Sequence, residues 1–472
     1  MAFTPPISAI ADLIGDPVEP AEFPMAKVRF RNQRWARTCG LGDLSDTRWV
    51  KHFARFEALP ENLPKPLALR YHGHQFGTYN PQLGDGRGFL FAQIEGPGGR
   101  VLDLGTKGSG QTPYSRQGDG RLTLKGAVRE ILASSYLEAL GVNTSKTFSV
   151  IETGEALYRG DEPSPTRSAV MVRLQHSHIR FGSFQRLAFL EDTPGLQRLL
   201  EHCVETYHPG ARRETVSETA CAFLGAVSDA TARMVGQWMA AGFVHGVMNT
   251  DNFNITGETF DFGPFRFLPE SDPNFVAAYF DQTGLYRFGR QPTQALWVLQ
   301  QLGSALLPLS TSEDLASALT GFETTYQDAF ARHTFFLLGV KPPADQSDAL
   351  AFLQGFYAWM TESGASWPLT FFELFGGIAR GFDPKATRQS SVYESEGFSS
   401  VLGQLNAFEP DRPERLQRDY FATARPVSLV IEDIEALWDP IAKADDWSAF
   451  DAKLAHIAQL GEALGTITHS EA

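Results

Sequence analysis

The sequence predicts an α+β fold in which strands and helices occupy separate parts of the chain. Two short apolar runs flank Gly-Pro-Gly-Gly at 96–99 in "RGFLFAQIEGPGGRVLDLGTKGSG", which indicates a β-hairpin. Beyond about residue 182, apolar residues recur at helical spacing, as in "LQRLLEHCVETY" and "TQALWVLQQLGSALL". We therefore expect a strand-rich first part with one helix, followed by a mostly helical second part.

The order of these patterns predicts four segments. Residues 1–65, with prolines at 5, 6, 17, 20 and 24, are interpreted as an N-terminal extension packed on the main domain. Residues 66–182 hold the hairpin, the helix predicted from "RLTLKGAVREILASSYLEALGV", and the strands predicted from "KTFSVIETGEALYRG" and "SAVMVRLQ". Residues 183–400 form the mostly helical part, with "DLASALTGFETTYQDAFARH" among its predicted helices, and residues 401–472 form a C-terminal helical extension.

Composition excludes several classes of protein. The chain has 472 residues, 43% of them hydrophobic, and a net charge of −14, which argues against binding along a nucleic-acid backbone. Its three cysteines, Cys39, Cys203 and Cys221, have no zinc spacing and are interpreted as buried free thiols. The first residues lack a signal-peptide pattern, and no apolar run reaches the roughly 18 residues of a membrane span. We expect a cytoplasmic protein without a membrane or nucleic-acid partner.

Two motifs in the strand-rich part carry candidate nucleotide-binding residues. In "QLGDGRG" at 82–88, Gly84 and Gly86 permit close backbone approach to a ligand and Arg87 adds charge, although most such stretches are simple turns. Lys107 ends the predicted second strand of the hairpin, and Glu130 follows it by 23 residues on the predicted helix. Protein kinases pair a Lys and a Glu in this way to hold phosphates. The alternative is a surface Lys and a solvated Glu.

Two arginines follow the last predicted strand of this part. Arg173 and Arg180 flank the stretch "LQHSHI". A guanidinium grips phosphate oxygens with two parallel hydrogen bonds, so both are candidates for phosphate binding. The alternative is that both are surface charges.

The stretch "HGVMNTDNFNITGETFDFGPF" at 245–265 carries a candidate metal site. Asp261 lies in Asp-Phe-Gly and Asn252 lies nine residues earlier, and both present the oxygen ligands that Mg²⁺ prefers. His245 and Asn252 match the spacing of a kinase catalytic loop, but Val247 stands where a kinase has its catalytic Asp. Asp251 is then the nearest carboxylate, and it suits a nucleophile that approaches a different phosphorus. Together the motifs predict ATP and Mg²⁺ binding in a two-lobed, protein-kinase-like fold.

Four long stretches resemble the selenoprotein O family, kinase-fold proteins that transfer AMP to proteins. They are "YHGHQFGTYNPQLGDGRG" (71–88), "KGSGQTPYSRQGDGR" (107–121), "SHIRFGSF" (177–184) and "HGVMNTDNFNITGETFDFGPFRF" (245–267). The resemblance implies that ATP is held inverted relative to kinases, with its α-phosphorus facing the acceptor.

The resemblance also implies roles for individual residues. Asp251 would be the general base, Asn252 and Asp261 would hold Mg²⁺ (or Mn²⁺), and Glu130 would orient Lys107. The implied ATP-binding residues are Gly84, Gly86, Arg87, Lys107, Asp119, Gly120, Arg173, Arg180 and Asp261. The chain departs from the family pattern at Arg290 and at "AAYFD" (277–281), which is expected to affect acceptor choice.

The sequence thus predicts a protein adenylyltransferase that moves AMP from ATP to Ser, Thr or Tyr hydroxyls of proteins and releases pyrophosphate. Two alternatives stay open. One is an atypical kinase that transfers the γ-phosphate to a protein or small molecule, and the other is a catalytically inactive nucleotide-binding pseudokinase.

Overall fold

One antiparallel sheet of eight strands forms the first part of the protein. The computed structural model describes residues 3–160 and 162–467. The strands of the described residues, in this sheet and in two smaller two-stranded sheets, are β1 (Gly15–Pro17), β2 (Lys27–Arg31), β3 (Leu67–Leu69), β4 (Gly73–Gln75), β5 (Thr78–Asn80), β6 (Leu90–Glu95), β7 (Val101–Lys107), β8 (Leu122–Thr123), β9 (Lys146–Leu157), β10 (Thr166–Gln175), β11 (Phe243–Val244) and β12 (Arg266–Phe267). The strand order in the sheet is β1-β3-β6-β7-β10-β9-β2, and β8 also pairs with β10.

The predicted hairpin is confirmed as β6 and β7. The two strands pair antiparallel from Glu95 opposite Val101 to Leu90 opposite Gly105. Gly98 and Gly99 turn the chain between them at φ 67° and 77°, which a residue with a side chain rarely adopts. β10 pairs with the far side of β7 and places Arg173 opposite Gly105.

Sixteen α-helices lie among the described residues, most of them after residue 180. They are α1 (Ala11–Ile14), α2 (Gln33–Thr38), α3 (Asp46–Phe53), α4 (Leu124–Ala139), α5 (Phe181–Phe189), α6 (Thr193–Thr206), α7 (Val216–Ala241), α8 (Gln291–Ala305), α9 (Ser312–Ser317), α10 (Phe322–Leu338), α11 (Gln346–Ser363), α12 (Trp367–Glu373), α13 (Ser390–Tyr393), α14 (Phe398–Leu405), α15 (Ile431–Ala444) and α16 (Ser448–Leu464). The predicted mixed fold with a helical second part is confirmed.

Two sequence-based expectations need correction. The single helix expected from "DLASALTGFETTYQDAFARH" is divided into two helices, α9 and α10. A turn separates them and ends at Gly321, which is a poor helix former and is the N-cap residue of α10. The three cysteines are free, but only Cys203 is buried, whereas Cys39 and Cys221 are half-buried.

The N-terminal residues are built into the sheet itself. β1 pairs with β3, and β2 pairs with β9 at the opposite edge. Trp49 and Phe53 of α3 are fully buried against the sheet, where Trp49 stacks on Phe148 with ring centroids 5.2 Å apart. The indole of Trp49 also donates a hydrogen bond to Ser149 at 2.9 Å. This segment therefore covers the sheet face that lies opposite α4.

The C-terminal helices return to the strand-rich part. α15 and α16 pack on α4, and the Tyr136 hydroxyl donates to the carbonyl of Val427 at 3.2 Å. Asp445, just after α15, lies 2.7 Å from Arg29 and 2.8 Å from Arg167. The last described residues thus buttress the helix that carries Glu130.

The loop between β11 and β12 is closed at its base by the pairing of these two strands. It follows α7, which ends at Gly242 in the left-handed conformation (φ 64°). His245 is buried, with its backbone N–H bonded to Gln291 at 3.0 Å and its Nε2 3.0 Å from the carbonyl of Phe260. These contacts fix both ends of the loop that carries Asp251 and Asp261. Among residues 3–160 and 162–467, no helix is both long and apolar enough to cross a bilayer.

Candidate active site

A cavity of about 750 Å³ lies where the sheet meets the 245–265 loop. Its size suits a nucleotide-sized ligand. The described lining holds seven cationic side chains and four carboxylates, although the whole chain is strongly acidic. The cations are Arg87, Lys107, Arg116, Arg121, Arg159, Arg173 and Arg180, and the carboxylates are Asp85, Asp119, Asp251 and Asp261. The cavity is therefore a local concentration of positive charge, which attracts anionic ligands.

Lys107 and Glu130 form a buried ion pair. Lys107 ends β7, and its Nζ contacts Glu130 Oε1 on α4. The two residues are only 6% and 2% exposed, so neither is a solvated surface charge. Lys107 Nζ also lies 3.1 Å from Asp261 Oδ1. The helix carboxylate thus fixes the lysine where the sheet meets the loop.

Arg173 reaches the same carboxylate from the neighbouring strand. It lies opposite Gly105, two residues before Lys107, so Arg173 and Lys107 share one face of the sheet. Its Nη1 lies 2.8 Å from Asp261 Oδ1, and its guanidinium lies over the ring of Phe260 at 5.5 Å. The residue is 4% exposed, so it is not a surface charge.

Arg180, the N-cap residue of α5, has the largest set of partners. Its Nη1 donates to Asp261 Oδ2 at 3.0 Å and to the backbone carbonyl of Asp251 at 2.6 Å, and its Nη2 lies 3.4 Å from Asp85. The guanidinium is packed against Tyr71 and Phe260, at 4.7 and 4.8 Å from the ring centroids. These contacts hold the two terminal nitrogens of the guanidinium in place. We call Lys107, Arg173 and Arg180 the cationic cluster.

Asp261 is the centre of this cluster. Burial alone would raise the pKa of its carboxyl, but Arg173, Lys107 and Arg180 outweigh burial and hold the pKa well below its usual range. Its backbone adopts φ 60°, a left-handed conformation that Asp tolerates better than most residues and that recurs at functional sites. The carboxylate is therefore ionised and held in one orientation.

Asp251 and Asn252 lie side by side in the 3₁₀ turn Thr250–Asn252. Asp251 Oδ1 is buried and has no hydrogen-bond partner among the described residues. Burial raises the pKa of Asp251 to about 6, although Arg180 opposes the shift. Asn252 Nδ2 donates to the carbonyl of Val247 at 2.9 Å, which leaves the amide oxygen available to a cation.

The donor set fits a magnesium ion better than a softer metal. Asp261 accepts from three cations, but a carboxylate has about four lone-pair sites, so a place for a metal bond remains. Asp261 and Asn252 together offer hard oxygen ligands. Within the described parts of the chain, no group of three or more His, Cys, Asp or Glu side chains could hold a metal alone. A metal here would need further oxygens from water or phosphate.

Two glycine-containing loops close over the cavity. A Cβ at Gly84 would lie 2.3 Å from the ring of Tyr114, and one at Gly86 would lie 2.9 Å from the Tyr114 carbonyl oxygen. These glycines are therefore required by loop–loop packing, whether or not a ligand also approaches them. In the second loop, Gly120 has φ 70° and packs on the backbone of Gly110. Asp119 beside it lies 2.8 Å from Arg159.

A family model described as "Protein adenylyltransferase SelO" matches residues 1–458. The chain belongs to this family. It is 39% identical over 465 residues to protein nucleotidyltransferase YdiU of Synechocystis sp., covering 96% of each chain. It is 40% identical over 472 residues to the YdiU protein of Synechococcus elongatus, covering 96% of this chain and 94% of that relative. The Trichodesmium erythraeum relative is 41% identical over 462 residues, with 95% and 96% covered.

Membership of the SelO family confirms the predicted resemblance and the prediction of a nucleotidyltransferase. The structure brings almost all of the predicted site residues to one cavity, since Gly84, Gly86, Arg87, Lys107, Asp119, Gly120, Arg173, Arg180, Asp251, Asn252 and Asp261 all line it. Glu130 lies behind the lining, bonded to Lys107. The roles assigned to these residues remain predictions.

Sequence reasoning on this SelO chain missed Asp85, which lies between the two predicted glycines. Asp85 is half-buried, its Oδ2 accepts from the backbone N–H of Leu69 at 3.2 Å, and it faces Arg180. Burial raises the pKa of Asp85, and Arg180 opposes the shift. The sequence feature that could have indicated Asp85 is its position inside "QLGDGRG", because a carboxylate is unusual in a loop expected to contact phosphate. Tyr71 and Phe260, which sandwich Arg180, carried no signal beyond being aromatic.

Proposed function

We propose that this protein transfers AMP from ATP to Ser, Thr or Tyr hydroxyls of other proteins and releases pyrophosphate. The observation that carries the proposal is the convergence of Lys107, Arg173 and Arg180 on Asp261, beside the unpartnered Oδ1 of Asp251. Buried cations of this number suit a polyphosphate, and a free carboxylate oxygen beside them suits a general base. The names of the relatives, which specify nucleotidyl transfer and protein, support the same reaction.

The arrangement also supports a protein-kinase-like fold. An antiparallel sheet carries Lys107, the helix next to it carries the Glu130 partner, and a loop in the helical part carries Asn252 and Asp261. Kinases place their nucleotide between the same kinds of elements. Val247 lines the cavity at the position where a kinase has its base, so it offers no group that could accept a proton.

The charge distribution favours an inverted nucleotide. The three cations of the cluster are all less than 10% exposed, so they lie at the inner end of the cavity. The terminal phosphate of ATP carries the most charge, and its burial costs least where the cations are densest. With the γ-phosphate held there, the α-phosphorus lies farther out, between the glycine loops and the turn that carries Asp251.

In the proposed reaction, the acceptor hydroxyl loses its proton to the Asp251 carboxylate. The hydroxyl oxygen forms a bond to the α-phosphorus, the bond from that phosphorus to the bridging oxygen breaks, and pyrophosphate leaves with the electron pair. Lys107 and Arg173 stabilise the negative charge that grows on the leaving group, and Glu130 keeps Lys107 in place. Arg180 holds the backbone of Asp251 and so fixes the base relative to the phosphates.

Asn252 and Asp261 would hold Mg²⁺, or Mn²⁺ in its place. The metal, when bound, neutralises charge on the phosphate oxygens. Asn252 contributes an amide oxygen that its own hydrogen bond to Val247 keeps oriented. Asp261 contributes a carboxylate that the cationic cluster keeps ionised.

Position-specific labelling of ATP tests the proposal. The enzyme is incubated with lysate proteins and Mg²⁺, with ATP labelled either at the α-phosphate or at the γ-phosphate. We expect protein-bound label from the α-position alone, and loss of that label with EDTA. Label from the γ-position would instead support an atypical kinase. ATP binding with no labelled product from either position would support an inactive nucleotide-binding protein.

A further inference from the structure

A cluster of exposed aromatic rings lies beside the turn that carries Asp251. Phe76 is 40% exposed, Phe280 45% and Tyr279 83%, and Val276 next to them is 37% exposed. The rings touch in sequence, with centroids 5.9 Å apart for Phe76 and Phe280 and 5.1 Å apart for Phe280 and Tyr279. We call these four residues the aromatic platform. A contiguous exposed apolar patch is uncommon on a soluble protein and often marks an interaction site.

The first half of the platform is fastened to the catalytic turn. Phe76 lies at the tip of the hairpin of β4 and β5, and its backbone N–H lies 3.3 Å from Asn249 Oδ1 and 3.1 Å from the Tyr286 hydroxyl. The same hydroxyl donates to Asn249 at 2.8 Å. One residue away from Asn249, Thr250 accepts from the backbone N–H of His74 at 2.7 Å.

The hairpin also approaches the proposed base closely. A Cβ on Gly73, the first residue of β4, would lie 3.1 Å from Asp251 Oδ1. The hairpin backbone therefore passes directly beside this carboxylate. Gln75 and Asn249, which adjoin Phe76, line the cavity, so the platform at the hairpin tip borders the site.

The second half of the platform is held by a buried carboxylate. Asp281 is 5% exposed and accepts hydrogen bonds from the backbone N–H groups of Leu285 at 2.9 Å and Tyr286 at 2.8 Å. These bonds fix the turn that follows Phe280. The exposed rings of Tyr279 and Phe280 are thus presented by an ordered loop and incur little additional ordering cost on binding.

We propose that the aromatic platform docks the acceptor protein, through an extended segment with an apolar or aromatic residue close to the modified hydroxyl. This inference rests on the proposed function. The platform carries no charged group, whereas the lining of the cavity is strongly cationic. The phosphates of the nucleotide therefore favour the cavity, and the apolar residues that flank the hydroxyl of an acceptor favour the platform. An acceptor lying across the platform brings its hydroxyl close to Asp251, because the hairpin that carries Phe76 passes beside this carboxylate.

The test uses arrays of Ser-, Thr- and Tyr-centred peptides in which one flanking position at a time is fixed, with α-labelled ATP and the full-length enzyme. We expect Phe, Tyr, Leu or Met to be favoured at one or two positions near the hydroxyl. In Tyr279→Ala and Phe280→Ala, that preference should weaken and the KM for the best peptide should rise about tenfold, as for an interface hot spot. The affinity for ATP should stay unchanged in both variants.

Leu307→Ala is the matched control, because Leu307 is an exposed apolar residue (48%) outside the cavity lining. It should leave both the peptide preference and the KM unchanged. Transfer to peptides without any apolar preference, or an unchanged preference in both platform variants, would overturn the docking inference and leave the proposed function intact. No label on any peptide or lysate protein would overturn the proposed function itself. If sedimentation showed that the two variants dissociate a dimer while the peptide KM stays the same, the platform would be a self-association surface instead.

Discussion

Replacement of Arg173 by Met separates phosphate binding from folding. Met retains the apolar stem and removes the guanidinium, whose partners are Asp261 at 2.8 Å and the ring of Phe260. Asp261 keeps Lys107 at 3.1 Å and Arg180 at 3.0 Å, so the charge of its half-buried carboxylate stays compensated. We expect the free energy of unfolding to fall by only about 1.5–3 kcal/mol, the value of one hydrogen bond to a charged group.

Arg173→Met should slow catalysis strongly while the protein stays folded. Loss of one preorganised charge on the reacting phosphates costs about 2.7–4 kcal/mol of transition-state stabilisation, or roughly 100- to 1,000-fold in rate. A domain with a typical stability of about 5–15 kcal/mol stays folded after the expected loss. The fall in rate can therefore not be attributed to unfolded enzyme.

The assay combines the initial rate of AMP transfer from α-labelled ATP, ATP affinity by calorimetry, and urea unfolding. Arg100→Met is the control, because Arg100 is a largely exposed residue outside the cavity lining, 3.5 Å from Glu258. It should change the rate less than about twofold, because an exposed substitution away from the site usually costs no more than about 0.5 kcal/mol. Arg173→Met with near-normal rate and ATP affinity would refute the assignment of this residue to phosphate binding.

Arg180→Met provides an internal comparison. Arg180 holds Asp261, the carbonyl of Asp251 and Asp85, so its loss takes one hydrogen-bond or ion-pair partner from three acceptor groups at once. We expect a larger loss of stability, about 3–5 kcal/mol, together with the loss of transfer. Equal stability of the two variants would show that the additional contacts of Arg180 contribute little.

Three further predictions concern the base, the loops and a buried histidine. Asp251→Asn should reduce transfer at least 100-fold, as expected for loss of a general base, while ATP affinity by calorimetry stays within about twofold. Gly84→Ala should weaken ATP binding and lower the unfolding free energy by about 1–3 kcal/mol, because its Cβ would lie 2.3 Å from Tyr114, whereas Gly355→Ala, with no atom within 4 Å, should do neither. Burial lowers the pKa of His202 to about 4, below the unfolded value near 6.5, so unfolding takes up a proton between these pH values. Stability should therefore fall by about 1.4 kcal/mol per pH unit as the pH falls through this window, and urea titrations of His202→Gln should show a shallower slope.

The sequence predicted best what depends on neighbouring residues. The hairpin of β6 and β7 follows from two apolar runs and a glycine turn, and Lys107 lies at its end because strand length is set locally. Glu130 could be placed on a helix because its apolar neighbours repeat at helical spacing. Lys107 and Glu130 meet because α4 packs on the strands next to β7. Their contact was predicted from the Lys–Glu pair of protein kinases, not from the local sequence.

The sequence did not reveal what depends on distant pairing. β1 and β2 are short, and their partners β3 and β9 lie far along the chain, so the sequence indicates an N-terminal extension packed on the main domain but not its strand pairing. Asp85 was missed for the same reason, since its significance comes from Arg180, 95 residues later. Tyr114 sets the need for glycine at position 84, but the sequence alone does not show which residue packs there.

The balance of charge in the cavity explains how one site can be both stable and ready to bind. A buried cation without a partner is costly, and the cationic cluster avoids that cost through Asp85, Glu130 and Asp261. Toward the outer end, described cations such as Arg87 and Arg116 raise the lining to seven cations against four carboxylates. The carboxylates of the protein therefore stabilise the inner cations of the cavity. The surplus positive charge of the lining is left for the phosphates of a nucleotide. A variant that reduces this surplus, such as Arg116→Glu, which leaves six cations against five carboxylates, should weaken ATP binding at low salt far more than at high salt, because salt screens exposed charges but not the buried cluster.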